Sequence, residues 1–253
     1  MISKIYILQS FESVEAIKSG RELYEKLKDK IAVYFKDVQS PNDLYEELEK
    51  IRAEIISSEE LCVIHFDCHG NEDGIELYDL HDNGTSITWE DFRSKFRNIY
   101  ISSPAKPIIS FSSCKGLYVM KLIAKFEPCP YGTIAGCLED IEFEDSIDAF
   151  FLFYISLMSG ASVLNGTVDV VAKYPHLKFF GFDAKDLAEL GWDRYKKEKL
   201  TPEVIKARKD EIISEVIKIK GHITEADFAL LERGLTADSG KADHERHREI
   251  FNS

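Results

Sequence analysis

Five cysteines and seven histidines make up the chain's stock of thiol nucleophiles and imidazole bases. Two short blocks put members of each at informative positions. Asp67-Cys68-His69-Gly70 follows the apolar run 61–66 (LCVIHF), and Ser113-Cys114-Lys115-Gly116 follows the run 107–112 (PIISFS). An imidazole beside a thiol can take the thiol proton, and the thiolate left behind attacks carbonyl carbon. A glycine directly after the histidine lets a substrate backbone come close. The N–H groups of Gly70 and Cys114 can donate to a developing oxyanion. A helix opening after Cys114 would add the field of its N-terminus in favour of thiolate. Two loops thus suffice to sketch a nucleophile (Cys114), a base (His69) and two oxyanion donors (Gly70, Cys114).

The same stretch carries a competing pattern, since Cys62, His65, Cys68 and His69 have ligand-like spacing and His81 and Cys114 lie elsewhere. Along a strand, however, alternate side chains face opposite ways. Cys62, Ile64, Phe66 and Cys68 then point to one layer, and Val63, His65, Asp67 and His69 to the other. No second pair closes a tetrahedral set, so neither a metal nor another cofactor is expected. Cys62, Cys68, Cys129 and Cys137 read as packing residues, and His65 as a core histidine. If the strand continues past Phe66, Asp67 shares a face with His65 and His69.

The elements that must position these groups alternate between β-rich runs and amphipathic stretches. Strands are predicted at residues 4–9, 31–38, 61–66, 107–112, 131–137 and 178–182. Helices are predicted at 14–27 (Ile17, Leu23 and Leu27 on one stripe), 40–57, 90–96, 116–126 and 146–159. Ser40-Pro41-Asn42-Asp43 is a capped helix start, and Asp82-Asn83-Gly84 joins a hairpin between residues 76 and 89. The alternation predicts an α/β fold with a mostly parallel sheet and helices on both faces. On such sheets ligands gather at the carboxyl ends of the strands, where both chemical blocks fall.

After residue 200 the pattern changes to helices alone. Thr201-Pro202-Glu203 starts one with Ile205, Ile212, Val216 and Ile219 on a stripe, and Thr224-Glu225-Ala226-Asp227 starts another. From Thr236 apolar residues thin out, which predicts a mobile tail. The division expected is a domain over 1–200 and a helical appendage with a flexible tail over 201–253.

Composition sets the outer limits. The 253 residues are 44% apolar and 30% charged, which is ordinary for a globular protein. With 45 acidic and 32 basic residues the net charge is −13, which repels phosphate backbones and argues against nucleic acid. Residues 149–168 lack charge over nearly a bilayer's length, but Ser159-Gly160 breaks the run, so a buried helix and a second element are expected rather than a membrane span. The odd, scattered cysteines and the absence of a signal-like start suggest a reducing, cytoplasmic setting.

The runs CVIHFDCHG (62–70) and IISFSSCKG (108–116) together resemble the His-Gly and Cys blocks of caspase-like cysteine peptidases, closest to the CHAT branch. Gly136, Asp145, Ala149, Phe150, Phe153, Tyr154, Leu157, Gly160, Ala161 and Ser162 fit the downstream pattern of that branch, and the likeness covers about residues 1–185. It implies a caspase-like three-layer α-β-α sandwich with His69 as general base and acid and Cys114 as nucleophile. The implied reaction is peptide hydrolysis through a thioacyl enzyme, without an obligatory third catalytic residue. It also implies a specific protein substrate in a bacterial defence or cell-death system. This chain carries no sensing repeats, so a separate regulatory or activator protein, its own loops or the C-terminal helices would control it. In such a fold the substrate pocket would be walled by Asp67, Ser112 and Ser113 and by Glu139, Asp140 and Glu142 of the loop after the next strand. Acids there would favour a basic side chain. The competing class is a catalytically silent caspase-like scaffold, which has no chemical reason to keep both His69-Gly70 and Cys114.

Overall fold

In the computed structural model, residues 1–15, 18–124 and 127–252 are described. They form two compact units. The first comprises residues 1–123 and 130–184, and the second residues 124–129 and 185–253. The first contains an eight-stranded sheet. Its main path runs β2 (Ala32–Asp37), β1 (Ile2–Ser10), β3 (Leu61–Gly70), β6 (Ile108–Phe111), β7 (Thr133–Cys137), β8 (Phe179–Asp183). Every neighbouring pair is parallel except β7–β8, which is antiparallel. β4 (Gly74–Tyr78) and β5 (Gly84–Thr88) form the expected hairpin, and β4 pairs with the end of β3 at His69 and Gly70.

The layers follow from the apolar pattern. α1 (Ser19–Leu27), α4 (Phe143–Met158) and α5 (Val163–Lys173) bury one set of side chains with Ile5, Ile7, Val63, Ala135 and Phe179. α2 (Pro41–Ile55) and α3 (Trp89–Ser102) supply the opposite layer. There Phe66 stacks on Phe111 at 4.7 Å and meets Phe92 and Phe96 edge-on. The alternation along β3 is as expected: Phe66 faces α3, while His65 packs against Phe150 and Tyr154 of α4. This is the three-layer α/β sandwich with a mostly parallel sheet.

Local chemistry explains the helix starts. Ser40 accepts from the Asp43 N–H at 3.1 Å, with Pro41 in the first turn, and Leu44, Leu48, Ile51 and Ile55 form the buried stripe. Ser40→Ala should therefore cost about 1 kcal/mol of stability in urea unfolding. No change would mean that the cap is dispensable. The uncharged run at 149–168 breaks where its Ser-Gly pair stands. α4 ends at Met158, Gly160 takes φ +87°, and Ser162 caps α5. No described helix is long and apolar enough to cross a membrane.

Four expectations are corrected. α1 begins at Ser19 rather than near Val14, which is 82% exposed; Ile17 lies outside the described residues. The helix expected over 116–126 is a seven-residue 3₁₀ helix, Gly116–Leu122, and Phe126 lies outside the described residues. The second unit takes in residues 185–200, and so begins before the expected boundary at 200. It contains most of α6 (Ala184–Lys199), then α7 (Pro202–Lys220), α8 (Glu225–Gly234) and α9 (Ala237–Asn252), so the tail is helical. A few anchors hold α9: Phe251 is buried, the His244 ring stacks on Trp192 at 4.1 Å, and the Cys129 N–H donates to the Phe251 carbonyl. On α7, Ile212 and Val216 are half-buried, but Ile219 is 84% exposed.

Candidate active site

β3 and β6 are adjacent and in parallel register from Val63↔Ile108 to Phe66↔Phe111. The residues that follow each therefore emerge at one rim. His69 and Gly70 do not lie in a loop, because β3 continues through them and pairs with β4. Beyond β6 the chain turns sharply: Lys115 adopts φ 55°, its N–H donates to the Glu139 carbonyl, and the Gly116 N–H donates back to Ser113. The two blocks touch. A Cβ on Gly70 would lie 2.8 Å from both the Cys114 carbonyl oxygen and the Ser113 Cβ.

A third segment spans both groups. The Cys114 Sγ lies 3.9 Å from the Ile141 carbonyl, and two residues on, Phe143 packs its ring 6.1 Å from that of His69. The imidazole is held by aromatic edges from Phe11 (5.2 Å) and Tyr78 (5.9 Å) as well. Its Nε2 faces two carboxylates, Glu12 at 3.2 Å and Glu15 at 3.5 Å. With Nε2 so engaged, Nδ1 is the ring nitrogen not turned to these carboxylates. Sequence reasoning missed Glu12, Glu15, Phe11, Tyr78 and Phe143. The signal for the first two lay in β1, whose end is in register with β3 (Gln9↔Asp67, Ser10↔Cys68), so that the chain after Ser10 reaches the same rim.

The nucleophile assignment gains from the other thiols. Cys62, Cys68, Cys129 and Cys137 are buried, and Cys114 is half-buried. Burial pushes the Cys62 and Cys137 thiols up to about 12, and Cys68 well above its ordinary value, so none of these three forms thiolate readily. Because a 3₁₀ helix of seven residues follows Cys114, little of the macrodipole expected there is present.

Asp67, Ser112 and Ser113, expected to wall the substrate pocket, are all buried. Asp67 instead ties three elements together. It accepts from Ser112 on the β6 end, from Ser19 Oγ at 2.8 Å and from the Gly20 N–H at the start of α1. Ser112 also contacts His65 Nε2 at 3.2 Å, and Tyr154 Oη lies 2.8 Å from His65 Nδ1 and 2.6 Å from Ser110 Oγ. Ser113 Oγ is buried without a hydrogen-bond partner. Glu139, Asp140 and Glu142 are exposed, and Glu139 pairs with Lys178 at 3.2 Å. The Cys62, His65, Cys68, His69 pattern makes no ligand set. Among the described residues the group with metal-ligand proximity is Glu12, Glu15 and His69.

The buried network has a pH consequence. Burial holds His65 neutral down to about 3, and burial also raises Asp67 to about 6 against the hydrogen bonds it accepts. The depressed histidine contributes stability that is present above its unfolded value of about 6.5 and is lost as pH falls. The raised carboxyl has the opposite sign, stabilising below its unfolded value of about 3.9 and losing that contribution as pH rises to about 6. Between about pH 4 and 6 the two slopes cancel. Asp67→Asn should uncover the histidine slope. Its stability deficit against the parent should grow by about 2–3 kcal/mol from pH 6 to pH 4 in urea titrations. A deficit independent of pH would contradict the assigned charge states.

Neither a family model nor a curated protein matches the chain. Among solved structures, the crystal structure of Chaetomium thermophilum Raptor aligns over 63% of this chain and 17% of that one, at 10% identity and a TM-score of 0.38. That likeness is too low to bear on the chemistry of this chain.

Proposed function

We propose that the protein is a caspase-like cysteine endopeptidase. The observation that carries this reading is the contact of Gly70 with the Cys114 carbonyl, which joins the histidine block to the only cysteine that is not buried. His69 takes the Cys114 proton, and the thiolate attacks the scissile carbonyl. The tetrahedral intermediate is stabilised by N–H donors of the Gly70 and Cys114 blocks. The amine leaves with the proton from His69, and water, deprotonated by the same ring, hydrolyses the thioester. Glu12 orients the ring and balances the imidazolium charge, a third member that the family likeness does not require.

The substrate is a protein segment with a basic side chain, drawn toward the exposed Asp140 and Glu142 that flank Ile141 beside the thiol. A proteome-derived peptide library incubated with the protein tests this. New termini should appear after Lys or Arg and be absent with Cys114→Ala. Cleavage that persists with Cys114→Ala, or no cleavage in any library, would sink the reading.

A further inference from the structure

The pair of carboxylates on His69 exceeds what a base needs. Nε2 of a neutral imidazole carries at most one proton, and one acceptor satisfies it. Here Glu12 Oε2 stands 3.2 Å and Glu15 Oε1 3.5 Å from the same nitrogen, and all three donor atoms fall within 4.8 Å of one another. In a tetrahedral zinc site with bonds of about 2.0–2.2 Å, neighbouring ligand atoms are roughly 3.3–3.6 Å apart. The 3.5 Å separation falls within the edge range of such a tetrahedron and the 3.2 Å one lies just short of it. Charge matches as well, since two carboxylates and a neutral ring balance a dication.

The site is also held in shape. Ser13, between the two glutamates, gives both its N–H and its Oγ–H to Asp82 of the hairpin turn, each at 2.6 Å. Phe11, Tyr78 and Phe143 fix the imidazole plane. All three ligand residues are half-buried, which leaves a hydrated ion an approach and a fourth position for water.

We propose that Glu12, Glu15 and His69 form a binding site for a divalent first-row transition cation of the zinc class, and that its occupancy switches the peptidase off. An imidazole donor with two carboxylates suits zinc better than magnesium or calcium, which take oxygen-only shells. The inhibitory consequence rests on the proposed peptidase reading; the binding does not. A cation on Nε2 requires the proton on Nδ1, and that ring has no lone pair left to accept the Cys114 proton.

Zinc binding to the full chain, measured by competition with a chromogenic chelator, tests the site directly. The parent and Cys114→Ala should each bind one ion with equal affinity. Glu15→Gln and Glu12→Gln should each bind about 10–100-fold more weakly. Thermal melts of the unliganded variants would confirm that each is folded. Equal affinity of both glutamine variants and the parent would overturn the site, as would loss of binding in Cys114→Ala, which would put the ion on the thiol. Preference for calcium over zinc would overturn it too. Peptide cleavage by the parent should stop at saturating zinc and return with chelator. Binding without any cleavage activity in metal-free protein would refute the peptidase reading and leave the site standing.

Discussion

Cys114→Ala and His69→Ala should each lower peptide hydrolysis by on the order of 10³-fold or more, and the double variant should be no worse than either single one. In the proposed reaction the two side chains act in one step, since the thiol is a nucleophile only when its proton has somewhere to go. Removing the imidazole leaves the thiol in place without a base, and removing the thiol leaves the base without work. Stability should respond differently. Cys114 is half-buried, and its contact to the Ile141 carbonyl is a long 3.9 Å, so alanine there should shift unfolding by well under about 1 kcal/mol. The His69 ring fills space between Phe11, Tyr78 and Phe143, and its loss should cost about 1–2 kcal/mol. Hydrolysis assays and urea melts on the same samples separate the two effects. A Cys114→Ala protein that is inactive because it is unfolded would not support the nucleophile.

Gly70→Ala should also lower activity, by less than loss of either side chain, although it touches neither reacting atom. The new methyl would stand 2.8 Å from the Cys114 carbonyl oxygen and 2.9 Å from Ser113 Oγ. Neither neighbour can yield easily. The Cys114 loop is held by the Lys115 N–H to Glu139 and the Gly116 N–H to Ser113, and Gly70 itself is held by the pairing of β3 with β4. Relief must move the nucleophile relative to the histidine by several tenths of an ångström. A misplacement of about 1 Å costs on the order of 10²-fold in rate, so one of several tenths should cost about 10-fold, with a stability loss of about 1–3 kcal/mol from overpacking. Gly191→Ala is the matched control. It lies within α6 with open space around the added methyl, so it should leave activity intact and gain about 0.5–1 kcal/mol. Equal activity of Gly70→Ala and the parent would mean that the two blocks are not coupled through this contact.

Much of this arrangement is legible in the chain because burial writes a period into it. The alternation of Cys62, Ile64, Phe66 and Cys68 against Val63, His65, Asp67 and His69 specifies which layer each faces, and the structure agrees at Phe66 and His65. The continuous apolar runs mark the central strands and place His69 and Cys114 at strand ends, but alternation alone leaves the strand order open, and it is the pairing of β3 with β6 that brings the two to a shared rim. The rest depends on partners distant in sequence. Glu12 and Glu15 look like solvated acids, and only the register of β1 against β3 carries them to the histidine. Asp67 looks like a rim acid until α1 supplies Ser19 and Gly20 to bury it. The segment after Cys114 has helical spacing, yet tightens to 3₁₀ from the left-handed turn at Lys115. α9 reads as a tail because its few anchors, Phe251 and the His244–Trp192 stack, are too sparse to form a periodic stripe.

The most direct measurement is the site of covalent capture by a peptidyl electrophile with a basic residue next to the warhead, located by peptide mapping across all five cysteines. The expected result is one adduct, on Cys114, formed rapidly in the parent and lost in His69→Ala. An adduct on Cys62, Cys68, Cys129 or Cys137, or capture of Cys114 at the same rate without His69, would contradict a cysteine–histidine active site at this rim.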